Sequence, residues 1–78
     1  MKDYTFKMFC SNCREALVEV MVHPGEEVTK LRATCPHCGD KSFYKEIKGQ
    51  FGLTYTDKTD LGRIETLGNV VEITCHKR

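Results

Sequence analysis

Four of the five cysteines form two Cys-x-x-Cys pairs, Cys10/Cys13 and Cys35/Cys38, with 21 residues between the pairs. In a chain of 78 residues this pattern constrains the fold more than any other feature. Surface scaling says folding would remove about 8,000 Å² from solvent. At the usual apolar share this is on the order of 115 kcal/mol of transfer free energy. Ordering the chain costs on the order of 117 kcal/mol, so the two nearly cancel and a staple is needed. Four thiolates in two short turns suit a tetrahedral ion, and two intervening residues let both sulfurs and turn N–H groups converge on it. Disulfides fit less well. The cysteine count is odd, and no apolar run at the N-terminus resembles a secretory signal. The expected compartment is the cytoplasm, where thiols stay reduced. A lone redox pair beside a βαβ unit is not the pattern either.

The rest of the chain reads as strands. Residues 4–9 alternate aromatic or Met with polar side chains. Residues 15–23 are Val-rich, and 28–34 alternate Leu31 and Ala33 with Lys30 and Arg32. His23-Pro24-Gly25-Glu26-Glu27 between them carries turn chemistry, so 15–34 is expected to form a hairpin with Glu26 and Glu27 at its tip. A further strand is expected at 42–48. Gly49-Gln50-Phe51-Gly52 should break it, and the Thr-, Asp- and Gly-rich stretch 53–62 should be a loop or a short extended piece. Gly68-Asn69 between β-branched runs predicts a two-residue hairpin pairing Ile64 with Ile73 and Thr66 with Val71, at the cost of facing Glu65 with Glu72. A short helix from Thr59 competes, but Gly62 and Gly68 weigh against it.

The two turns, Cys10-Ser11-Asn12-Cys13 and Cys35-Pro36-His37-Cys38-Gly39, with the strand after the second, resemble the zinc-ribbon family over roughly residues 4–48. The resemblance implies a small all-β fold: an antiparallel sheet with two cysteine knuckles on one structural Zn²⁺, ligated by Cys10, Cys13, Cys35 and Cys38. The expected organisation is a ribbon over 1–48 and a C-terminal extension with a β-hairpin over 49–78, packed on the same domain. Rubredoxins also carry Cys-Pro-x-Cys-Gly and bind iron, which makes iron the alternative metal. Here the first turn continues to Arg14 where that family has Gly. Cys75 follows Val71 and Ile73 on one strand face and reads as an unliganded core thiol. His37 and His23 read as surface residues, and Phe51 as a core side chain.

Twelve basic and eleven acidic side chains leave a formal charge of +1. Four thiolates around one Zn²⁺ would bring it to about −1. Such balance argues against tight, non-specific phosphate binding, yet a local face remains open to it. Arg14, Lys30, Arg32, Lys41, Tyr44 and Lys45 combine bases with an aromatic and are the candidate contact set for RNA, DNA or a protein partner. The acidic pair Glu26-Glu27 loosely resembles the hairpin tip of elongation factors that stimulate transcript cleavage by RNA polymerase. Small phage translational activators share the short chain and the paired turns. No nucleophile triad or phosphate-cradling loop is present, and a four-thiolate ion keeps no open position, so an enzyme is not expected. No segment is apolar enough to span a membrane. The expected role is a stand-alone binding module docking on a larger protein or nucleoprotein complex in transcription or translation. Direct RNA or DNA binding and a purely structural part in an assembly are the alternatives.

Overall fold

The computed structural model describes residues 2–41 and 44–78. Five strands build one sheet: β1 (Tyr4–Phe9), β2 (Ala16–Thr34), β3 (Tyr44–Thr54), β4 (Thr59–Leu67) and β5 (Val70–Lys77). No helix occurs among the described residues. The order is β1-β2-β5-β4, with β3 also paired to β2. All pairings are antiparallel except β2 with β5, which is parallel. Of the strand expected over 42–48, Ser42 and Phe43 lie outside the described residues.

The 19-residue β2 organises everything else. Drawn straight at about 3.3 Å per residue it would run about 60 Å. The longest dimension of the molecule is 34 Å, so β2 must fold back. It does so between Pro24 and Val28. These two residues pair with the adjacent Gly49 and Lys48 of β3, leaving Gly25, Glu26 and Glu27 as a bulge without partners in the ladder. Gly49 adopts φ 124°, and any side chain there would meet the backbone of His23, Pro24 and Gly25. The glycine permits both the dihedral and the close approach.

The bend corrects two expectations. Residues 15–23 and 28–34 do not pair with each other, so Glu26 and Glu27 mark an exposed bulge rather than a hairpin tip. The physical reason is β3. It is long enough to satisfy the hydrogen bonds of both halves of β2, so turn chemistry at 23–27 bends the strand without reversing its pairing. Gly49 to Gly52 likewise do not end β3. They form its side of the same bend, and the division drawn at residue 48 falls inside this strand.

Folding β2 and β3 over brings two apolar faces together. Met8 of β1 and Val18, Val20 and Val22 of β2 come from the first half. Leu31, Ala33 and Ile47 come from the second, joined by Val71, Ile73 and Cys75 of β5. All are buried in one cluster, with Phe6, Phe51, Leu53 and Leu61 packed against it. The β4–β5 hairpin has the expected register, with Gly68 at φ 63° in its turn. Glu65 does face Glu72, and each carboxylate has its own cation: Arg63 at 2.6 Å and Arg32 at 3.3 Å.

Candidate metal centre

Each Cys-x-x-Cys segment is a tight turn at one end of β2, and the two have the same backbone bonding. Arg14 N–H donates to the Cys10 carbonyl at 2.7 Å, and Gly39 N–H to the Cys35 carbonyl at 2.9 Å. Cys10 N–H donates to Glu15, and Cys35 N–H to Asp40, both at 3.0 Å. The residue leaving each turn is left-handed: Gly39 at φ 74° and Arg14 at φ 61°. Glycine takes that conformation freely, whereas a side chain costs roughly 1–2 kcal/mol there. Arg14 therefore holds, with strain, the place glycine occupies in the second turn.

Because β2 doubles back, its two ends bring the turns face to face. The sulfurs of Cys10, Cys13, Cys35 and Cys38 all lie within 4.8 Å of one another. Cys10 Sγ is 3.6 Å from Cys38 Sγ, and Cys35 Sγ is 3.9 Å from Cys13 Sγ. A metal–sulfur bond of about 2.3 Å in a tetrahedron requires sulfurs about 3.8 Å apart, whereas a disulfide needs about 2 Å. The four thiols fit a metal ion and are not positioned as bridges.

The thiols are unequal. Cys10 and Cys35 are buried, Cys13 is half-buried and Cys38 is exposed. The backbone N–H of Asp40 bonds to the Cys38 sulfur and, with donors from Cys13 and Asn12, lowers its pKa to about 7. Donation to Cys38 pushes Cys13 up to about 12, with burial adding to the shift. Burial also raises Cys35. Cys38, the exposed thiol, thus ionises more readily than Cys13 or Cys35, from which a bound metal must displace protons.

A polar brace supports the first turn. Thr59 donates its hydroxyl to the Leu17 carbonyl at 2.6 Å and meets the Thr56 hydroxyl at 2.7 Å. Thr56 in turn accepts the backbone N–H groups of Lys58 and Thr59. Lys58 reaches Glu15 at 3.4 Å. Thr56 and Thr59 are buried inside the stretch expected to be a loop or a short extended piece, whose ends belong to β3 and β4. Their signal was the Thr-Asp-Lys-Thr spacing, since a hydroxyl can cap a turn two or three residues on. Asn12, which reaches across to Cys38, had no comparable sequence signal.

Cys75 stands apart from the four. It is buried with Val71 and Ile73, and its thiol points to the Leu17 carbonyl at 3.5 Å. His37 is exposed on the second turn, outside the sulfur cluster. His23 contacts Asp3 at 2.6 Å on the surface. The candidate contact residues separate into three places. Lys30, Arg32 and Tyr44 share the outer face of the second half of the sheet, where both cations lie over the Tyr44 ring at 5.8 and 5.6 Å. Lys45 projects from the opposite face, over Phe6 at 5.5 Å. Arg14 and Lys41 are exposed residues following the two turns. Surface depressions of 170, 200 and 270 Å³ lie away from the sulfurs.

The chain matches no family model, no curated protein and no solved structure.

Proposed function

We propose that the chain is a binding module, clamped by one structural zinc ion, that docks on a larger protein or nucleoprotein complex in transcription or translation. Zinc is preferred to iron because four thiolates on two antiparallel turns are its usual structural site, and a cell offers it without redox chemistry. Four protein ligands complete the coordination, so the ion holds shape and takes no substrate. Depressions under about 300 Å³ are smaller than ordinary small-molecule pockets, which favours recognition by surface.

The observation that carries the docking reading is the outer face around Tyr44. Tyr44 is 43% exposed, with Lys30 and Arg32 against its ring. Tyr and Arg at the centre of a patch are the usual anchors of protein interfaces. Arg32 is already paired with Glu72, and Lys30 lies opposite Glu46 in the ladder. This mixture of signs suits a protein surface better than a run of phosphates.

The test has two parts. Elemental analysis of gently purified protein should give about one zinc per chain, and a chelator should unfold it. A folded, metal-free chain would refute the clamp. Tagged protein should then retain a defined complex from host lysate that Tyr44→Ala loses without loss of zinc. The nucleic-acid reading predicts instead a salt-sensitive gel shift that Lys30→Ala and Arg32→Ala weaken.

A further inference from the structure

We propose that β4 is a self-pairing edge through which two copies of this chain join, antiparallel, about a two-fold axis at Ile64. The edge is open: β4 ends the strand order, with β5 as its partner among the described residues. The phase of its hydrogen bonds follows from the hairpin. Leu67 and Val70 flank a two-residue turn, so they exchange both backbone bonds. Alternation then makes Glu65/Glu72 a bonded pair and Ile64/Ile73 a non-bonded one. The N–H and C=O of Ile64 therefore point away from β5, into the open edge.

The side chains around this point complement themselves. An antiparallel pairing centred on Ile64 sets Ile64 against Ile64 of the second copy. It also sets Arg63 against Glu65 of the second copy, twice by symmetry. Centring on Glu65 would oppose two carboxylates. Ile64 faces the same side as the fully buried Ile73, yet is itself 48% exposed because nothing covers the edge. Pairing would extend the core across the two-fold. The Arg63–Glu65 contact within one chain, at 2.6 Å, shows that these groups already share one face of the sheet. The ladder is short, because Gly62 and Arg63 themselves form a bulge between Leu61 and Ile64, so the Arg63–Glu65 pairing across the two-fold joins side chains at the end of the regular strand. Association is accordingly weak and concentration-dependent. It uses a different surface from the Tyr44 face and does not rest on that reading.

Sedimentation velocity of the metal-loaded chain tests this. From about 10 μM to about 1 mM the species should shift from monomer to dimer. Ile64→Lys should weaken the dimer about tenfold or more, with zinc content and circular dichroism unchanged. Arg63→Glu and Glu65→Arg should each weaken it several-fold, and combining them should restore it, because the pattern stays self-complementary. A chain still monomeric at the top concentration overturns the proposal. So does a dimer indifferent to Ile64→Lys, or a double variant as weak as the single ones.

Discussion

Gly49→Ala should separate the bend from the rest of the fold. Gly49 sits at φ 124°, and an added Cβ would lie 2.6 Å from the Gly25 nitrogen and 2.8 Å from the Pro24 carbonyl carbon, closer still to the His23 carbonyl oxygen. All three obstacles are backbone, so no side chain can swing aside. A non-glycine residue in that dihedral region costs of order 1–3 kcal/mol. Forcing packed backbone apart adds roughly 1–3 kcal/mol. The lower unfolded-state entropy of Ala returns about 0.5–1 kcal/mol. The net loss is then about 1–5 kcal/mol. Gly52→Ala, three residues along the same strand, is the control. Nothing lies within 4 Å of its added Cβ, so it should be neutral or slightly stabilising. Urea melts of both variants, loaded with zinc, measure the difference. Because the bend brings the two cysteine turns together, Gly49→Ala should also weaken zinc binding in a chelator competition, by on the order of 10²-fold or more. If the two variants melt within about 0.5 kcal/mol of each other, the close approach at the bend is not what shapes β2.

Three further outcomes follow from particular contacts. Arg14→Gly should stabilise the protein by about 0.5–1 kcal/mol in the same melts by relieving φ 61°, whereas Gly39→Ala should cost about 1–2 kcal/mol at the matching position. Thr59→Val removes the hydroxyl that donates to the Leu17 carbonyl inside the core, and should cost about 1–3 kcal/mol by thermal or urea unfolding. Burial raises the Cys75 thiol to about 11 from its usual 9.0. A raised pKa means the native state holds this proton more tightly. Its contribution is therefore whole below pH 9 and is lost as the pH climbs through about 11. Cys75→Ala should keep the metal-binding capacity of the four other thiols and lose less stability than the parent over that alkaline window, as read by unfolding at stepped pH.

Much of the site is legible in one dimension because its determinants are local. Two residues between cysteines settle each turn, and Gly39 signals its left-handed exit. The β4–β5 register follows from Gly68-Asn69 and the alternation around it. Arg14 is the exception within the turns. Its left-handed conformation comes with the backbone bond it donates to the Cys10 carbonyl, the counterpart of Gly39 to Cys35, which side-chain type does not report. The buried Thr56–Thr59 brace was equally hard to see, because its target, the Leu17 carbonyl, lies 42 residues away in the chain.

Residue order alone makes this a strand-rich chain with four thiols suited to one ion. Alternation, turn residues and cysteine spacing act within a few residues of one another. That the segment between the cysteine pairs stays one strand depends on long-range pairing. Pro24 and Gly25 can end a strand or bend it, and the choice depends on whether a neighbour keeps supplying hydrogen bonds beyond them. Here β3 supplies them on both sides of the bend. The same long partner, with Gly49 at the crossing, carries the second pair of sulfurs back to the first.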